Sequence, residues 1–183
     1  MISPVQNIPP FADKSKVVNA IVDTPRGSAN KFKLDEETGV FMLAGAMPAG
    51  VVFPFEFGYI PSTKAGDGDP LDLLILMDAP TFVGCLVRVR LIGVIEARQT
   101  EKGKTTRNDR LIAVALKSRR HAHLKNLRDV PVQLLDEIEH FFISYNEIKG
   151  KKFKPTGRYG PKRALTLVEA AIRAEQKSQQ SRS

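Results

Sequence analysis

The sequence predicts an α+β fold, a small β-barrel or curled sheet with helices packed against it. Two observations carry that prediction. Short apolar runs rich in Val, Ile and Leu, punctuated by Pro, Gly and Asp, fill the first 116 residues. Helical periodicity begins only after Asp129. Strands first and helices last is the order expected of sheet and helix segregated in one molecule. At 183 residues and 42% hydrophobic composition the chain suits a single domain, 1–183, with a real core.

Residues 1–15 contain several prolines and read as an N-terminal arm. Residues 16–23 read as a strand, ended by Thr24-Pro25-Arg26-Gly27-Ser28. Residues 31–43 read as a hairpin about the turn-rich Asp35-Glu36-Glu37-Thr38-Gly39. Residues 51–60 carry Pro54 and Gly58 among four aromatics and suggest an irregular edge segment. Residues 73–77 form a short apolar strand, and 85–97 a long β run with a kink at Gly93. The polar stretch 99–110 reads as a hairpin loop, and 111–116 as another strand. Then the period changes. Leu134, Leu135, Ile138, Phe141, Phe142, Tyr145 and Ile148 recur at helical spacing, with Asp129 placed to cap the helix and Pro131 suited to its first turn. A second helix opens at Pro161 after Gly160 and presents Leu165, Val168, Ala171 and Ile172. Residues 176–183 read as a frayed tail.

Bulk properties exclude several classes. No apolar stretch approaches the roughly 20 residues that span a bilayer, and the N-terminus lacks the basic start and apolar block of a signal peptide. The lone Cys85 cannot form an internal disulfide and reads as a small core residue. A cytoplasmic setting fits. The net charge of +8 is local: residues 149–183 hold ten Lys/Arg against two Glu, and the rest of the chain is balanced. Only Phe153 and Tyr159 interleave with those charges, too few for a stacking platform, so a nucleic-acid partner is not expected.

The chemistry concentrates in Gly66-Asp67-Gly68-Asp69-Pro70-Leu71-Asp72. Three carboxylates fall within six residues, with no basic residue among them, at the mouth of an apolar strand. Each raises its neighbours' pKa, and a bound cation removes that cost. All-oxygen ligation suits a hard ion, Mg²⁺, Mn²⁺ or Ca²⁺. In an extended chain Asp67 and Asp69 share a face, and Asp72 reaches the same ion or a second one. Ions so held neutralise phosphate oxygens and activate water near neutral pH, and a carboxylate not spent on ligation takes the proton. An EF-hand is excluded, because Asp72 stands where that loop needs its glycine. Lys31 and Lys33 share one strand face, and Tyr145 continues a helical apolar stripe; each reads equally as scaffold or as phosphate contact.

Asp67-Gly68-Asp69-Pro70-Leu71-Asp72 resembles the D-G-D-P-x-D signature of the soluble family I inorganic pyrophosphatases. Phe53-Pro54-Phe55-Glu56-Phe57-Gly58-Tyr59-Ile60, the strand from Arg110 to Val114, and His140-Phe141-Phe142 with Tyr145 resemble three further segments of that family, in order, over about residues 17–152. The resemblance implies a closed five-stranded, OB-like barrel with helices outside. It implies Mg²⁺-dependent hydrolysis of pyrophosphate to two phosphates, and a homo-oligomer, a hexamer among bacterial members. Carried across by position, Asp67, Asp69, Asp72 and Asp23 match metal ligands, Asp23 standing where the family has a Glu. Asp69 matches the base that activates water. Lys31, Arg110 (at a family lysine) and Tyr145 match phosphate-binding residues.

Several positions depart from the family's pattern. Lys33 replaces a Glu, Gly45 an Arg, Phe57 a Tyr, Asn108 a metal-ligating Asp and Asn146 a Lys. The family's other loop Asp is missing or displaced near 99–101, where Glu101 and Asp109 are the candidates to replace it. The resemblance therefore implies a retained first metal pair, with depleted substrate-side metals and a depleted leaving-phosphate clamp. Each charge-assisted phosphate contact is worth ~1.5–3 kcal/mol. Losing two costs several powers of ten in rate unless Lys33 or the basic residues of 149–154 compensate. Two alternatives stand beside this reading. One is hydrolysis of another phosphoanhydride; the other is a catalytically weak barrel that binds polyanions through its basic C-terminal region.

Overall fold

The computed structural model describes residues 8–35 and 37–181. In chain order the strands are β1 (Val18–Thr24), β2 (Asn30–Leu34), β3 (Phe41–Ala46), β4 (Glu56–Ile60), β5 (Leu71–Leu76), β6 (Leu86–Glu101), β7 (Lys104–Arg107), β8 (Arg110–Ala115) and β9 (Lys152–Tyr159). The helices are α1 (Val132–Ile148) and α2 (Pro161–Gln180). Five strands close on themselves. β1 pairs with β4, β4 with β5, β5 with β8, β8 with β6, and the start of β6 returns to β1; only β5–β8 is parallel. The expected closed five-stranded barrel is present. The far half of β6 runs beyond it and pairs with β7 on one side and β9 on the other. β2 and β3 form a separate hairpin.

The barrel strand β5 is apolar on both faces, save Asp72 at its start, because both faces are covered. Leu73 and Ile75 join a core cluster with Ala164, Val168 and Ala171 of α2, while the alternate residues Leu74 and Leu76 join one with Leu135, Ile138 and Phe142 of α1. The period-2 alternation of side chains thus sorts one strand between two helices. Gly93 marks the kink: the β6–β8 register shifts there, and a Cβ would lie 2.4 Å from the Tyr159 carbonyl oxygen and 2.7 Å from Leu127 Cβ.

Six expectations need correction. The segment 51–60 is not an edge: β4 is paired on both sides, and irregularity stops at Phe55. The polar stretch 99–110 is largely strand, closing β6 onto β7 through Lys102 and Gly103, so polarity here marks a solvated hairpin rather than a loop. β9 lies between the helices, unannounced because Pro155 and Gly157 interrupt its pattern. Asp129 does not cap α1. Its carboxylate accepts from the Lys125 and Asn126 N–H groups and closes the 3₁₀ turn Leu127–Asp129, while Pro131 takes the cap position of α1 with no side-chain bond. Residues 176–180 complete α2 rather than fray; 182–183 lie outside the described residues. Cys85 is only half-buried, in the turn before β6. Of the N-terminal arm, residues 1–7 lie outside the described residues, and Phe11 bridges back to Val18. Glu36, in the expected turn of the first hairpin, is likewise outside them, and β2 and β3 flank it as expected.

Candidate active site

A cleft of about 780 Å³ lies where β1, β2, β4, β5, the β6–β7 hairpin, β8 and α1 meet. Every residue singled out for the site lines it: Asp23 from β1, Lys31 from β2, Asp67 and Asp69 from the loop before β5, Asp72 from β5, Arg110 from β8 and Tyr145 from α1.

The acidic loop is a turn, not the extended segment expected. Gly68 takes φ +95°, open to glycine at little cost, and its N–H donates to the Ala65 carbonyl at 3.1 Å. The Ala65 N–H donates to the Asp69 carbonyl at 2.7 Å, and the Asp69 N–H to the Asp67 carboxylate at 3.3 Å. Thr63 anchors the base of the loop, donating to the Ile60 carbonyl at 2.6 Å and accepting from the Leu71 N–H at 3.1 Å. Pro70 forgoes a donor between them.

The carboxylates differ in surroundings. Asp23 is buried, and that burial pushes its carboxyl up to about 6 against the pull of Lys31 and a 2.7 Å hydrogen bond from Thr24 Oγ1; the charge of Asp72 adds to the rise. Asp67 is held above the usual carboxylate range, first because protein around the cleft withdraws solvent, then by the charges of Asp72 and Asp69. Asp69 lies 2.9 Å from Lys33 Nζ in an exposed pair. Asp72 lies 2.5 Å from the buried Arg110 guanidinium.

Aromatic rings hold the cations. Lys31 Nζ sits 4.3 Å from the centre of the Phe57 ring and 5.6 Å from that of Phe53. Arg110 lies over Phe142 at 4.8 Å and Phe153 at 5.3 Å. It also donates to the side chain of Asn108 and the Asp109 carbonyl, while its buried Nε has no partner among the described residues. Tyr145 is packed as scaffold and also lines the cleft. Its ring stacks on Phe141 and meets Phe53 edge-on, and its hydroxyl accepts from Lys149 Nζ. Burial, with the charges of Asp72 and Asp23, pushes that hydroxyl up to about 12, so it stays protonated at neutral pH.

The positions that depart from the resembled pattern have definite surroundings. Lys33 pairs with Asp69. Phe57 underlies Lys31. Asn108 accepts from Arg110 and donates to Gln99 at 3.0 Å. Asn146 is buried and donates to the Phe142 carbonyl at 2.8 Å. Gly45 stands opposite Lys31 in the β2–β3 ladder, with open space where a Cβ would point. Glu101 lines the cleft, paired with Lys151 at 2.9 Å. Asp109 does not; it turns away to accept from the Ala97 N–H and from Arg107.

Sequence reasoning missed Lys104 and Thr106, and placed Lys149 and Lys151 only as part of a basic stretch. The signal for the first pair is alternation: 104, 106, 108 and 110 share one face of extended chain. For Lys149 it is helical spacing, since 142, 145, 146 and 149 recur on one side of α1 and its cap. Four cations of the basic C-terminal stretch go to three separate places. Lys149 and Lys151 enter the cleft, Arg158 pairs with Asp136 and Glu139, and Arg163 pairs with Glu96.

Four aspartates lining one cleft, with burial and then like charges holding Asp67 up, form a donor set whose chemistry fits a hard divalent ion. The donors stand apart, though: among the described residues no three or more His, Cys, Asp or Glu side chains converge closely enough to hold one. No helix among the described residues is long and apolar enough to cross a membrane.

Comparison with known proteins follows this geometry. A family model described as inorganic pyrophosphatase matches residues 20–176. The inorganic pyrophosphatase of Nostoc sp. is 36% identical over 165 residues, covering 90% of this chain and 95% of that protein. That of Halalkalibacterium halodurans is 39% identical over 159 residues, covering 87% and 95%. The crystal structure of inorganic pyrophosphatase from Thermus thermophilus superposes with a TM-score of 0.85 at 34% identity, over 94% of this chain and 98% of that one.

Proposed function

Because the chain belongs to the inorganic pyrophosphatase family, we propose that this cleft hydrolyses inorganic pyrophosphate to two phosphates with a divalent cation, Mg²⁺ or alternatively Mn²⁺, as cofactor. The supporting observation is the charge arrangement: Asp23, Asp67, Asp69 and Asp72 share one cleft with Lys31, Arg110 and Tyr145. Pyrophosphate is small and densely charged, with no apolar face, and a wall of ammonium and guanidinium groups suits it. Those aspartates, Asp67 and Asp72 foremost, would hold a divalent ion, which when bound would supply neutralisation of phosphate oxygens and a lowered pKa for nearby water.

The chain's own groups do the rest. Asp69 accepts the proton of the attacking water, whose oxygen bonds to one phosphorus as the bridging P–O bond breaks. No covalent enzyme intermediate forms. Lys31, held against the Phe57 face, binds phosphate oxygens. Arg110, fixed by Asp72, Asn108 and three aromatic rings, orients a second set. Tyr145, protonated at neutral pH, donates a hydrogen bond. The reading extends to a single-domain, cytoplasmic protein working as a homo-oligomer, a hexamer by the same resemblance, which sedimentation velocity tests. The central experiment is phosphate release from pyrophosphate with Mg²⁺. Turnover no faster than that of Asp69→Asn would remove the proposal.

A further inference from the structure

Lys149 is a cation of the cleft without a carboxylate to cancel its charge. It closes α1, where its N–H donates to the Asn146 carbonyl at 3.0 Å, and its side chain turns to the cleft side of the helix. There the ammonium sits 4.2 Å from the centre of the Tyr145 ring and donates to the Tyr145 hydroxyl. It is held below the usual lysine range, first because protein around it withdraws solvent, then by repulsion from Lys31 and Lys151. Lys151 has Glu101 at 2.9 Å, but among the described residues no carboxylate forms an ion pair with Lys149.

A lysine at the end of a helix also answers the negative end of the helix dipole. That role is met with the side chain extended into water. Lys149 instead folds back along one turn of α1 to Tyr145, into a region already positive. A ring face holds a cation there without neutralising it. An ammonium carries three N–H donors; one goes to Tyr145, and the other two have no acceptor among the described residues. The Tyr145 hydroxyl accepts from Lys149 and so keeps its own proton to donate. Lysine and tyrosine together offer hydrogens and charge to one oxygen-rich anion. Asn146, one turn earlier on the same side, brings no charge and turns its amide onto the Phe142 carbonyl.

From this arrangement we propose that Lys149 is a phosphate-binding residue of the cleft, and that with Tyr145 it clamps the phosphate that leaves. The charges that act on Lys149 are those of Lys31 and Lys151, whereas Asp72 and Asp23 act on Tyr145. Lys149 therefore stands on the side of the clamp away from the aspartates. The phosphate it meets is not the one attacked by the water that Asp69 deprotonates. When the bridging P–O bond breaks, its electron pair stays on the departing phosphate. Lys149 and Tyr145 meet that growing charge with hydrogen bonds already in place, and neither gives up its proton. The inference rests on the pyrophosphatase reading of the cleft.

The test uses the full chain and steady-state phosphate release with Mg²⁺. Lys149→Gln should lower kcat/KM about 10- to 100-fold, as for one charge-assisted contact, with kcat itself down about tenfold because the contact strengthens as the bond breaks. A second measurement needs no variant. Wild type is acetylated with acetic anhydride and read by peptide mass spectrometry, with and without Mg²⁺ and methylenediphosphonate, whose P–C–P bridge resists hydrolysis. The diphosphonate should protect Lys149 several-fold. Lys117, exposed beyond the end of β8 remote from Arg110, should label equally in both. A kcat/KM within about twofold of wild type in Lys149→Gln, a raised KM with kcat unchanged, or Lys149 labelling that the diphosphonate leaves unchanged each overturns the inference. If wild type turns over pyrophosphate while any of those results holds, the assignment of Lys149 alone is wrong; if wild type releases no phosphate, the reading beneath falls as well.

Discussion

Asp23→Asn isolates the energetic cost of keeping a charge in this cleft. Asn retains an Oδ1 to accept from Thr24 Oγ1 and nearly the same volume, and removes only the charge. Asp23 is buried with its carboxyl near 6 in the folded protein, against an ordinary value of 3.8. Folding therefore favours the protonated form. The stability linked to this group is complete below about pH 4 and is lost as pH rises through about 6. Above that, wild type carries a penalty of roughly 3 kcal/mol, from ~1.4 kcal/mol per pH unit across that gap. Asn, neutral throughout, avoids it. Urea unfolding in EDTA between pH 3.5 and 8 should find the variant more stable by about 2–3 kcal/mol at pH 7.5 and level with wild type near pH 3.5. Phosphate release should fall at the same time. A variant no more stable at pH 7.5, or one with the same advantage at both ends of the range, refutes the claim that burial at position 23 outweighs the help of Lys31 and Thr24.

Asp69→Asn should lower kcat by about 10²–10⁴, the usual span for a positioned base, with no loss of melting temperature, because the side chain is mostly exposed. Lys31→Gln removes one charge-assisted phosphate contact and should lower kcat/KM about 10- to 100-fold, corresponding to ~1.5–3 kcal/mol; an effect under twofold would take Lys31 out of the binding wall. Dialysis against EDTA should abolish phosphate release and Mg²⁺ restore it. Gly93→Ala places a Cβ against a backbone carbonyl and should cost about 1–3 kcal/mol or more in urea unfolding; an unchanged midpoint would mean that β6 and β9 are less tightly apposed at that position.

The parts of the fold legible in the sequence were those whose pattern is set by burial. Leu73 to Leu76 is apolar at every position because α1 and α2 cover opposite faces of β5, and the α1 stripe is visible because one side of that helix meets the same core. What escaped was set by pairing instead. β4 is internal to the barrel, yet its neighbours Pro54 and Phe55 precede the ladder and disguise it. β9 tolerates Pro155 and Gly157 where its register to β6 shifts. The site divides along the same line. Three aspartates within six residues announce themselves by proximity in sequence. Lys104, Thr106 and Lys149 reach the cleft only because a hairpin and a helix end converge on it, and that convergence is a property of the closed barrel rather than of any local stretch.

The positions where this chain departs from the resembled pattern make more sense together than singly. Arg110, in place of a lysine, brings a planar guanidinium that needs more acceptors and a flat apolar bed. Asn108 supplies an uncharged acceptor for it, and Phe142 and Phe153 supply the bed. Phe57, lacking a hydroxyl, offers Lys31 a ring face and no hydrogen bond of its own to a phosphate. Asn146 turns its amide back onto the α1 backbone and leaves Lys149, one turn on, as the cation nearest Tyr145. Lys33 then puts a positive charge directly on Asp69. The changes at 33, 45, 108 and 146 gain more positive charge than they lose. Two of the four cleft aspartates, Asp69 and Asp72, are thus held against built-in cations, and Lys33 is the exposed one of those two cations.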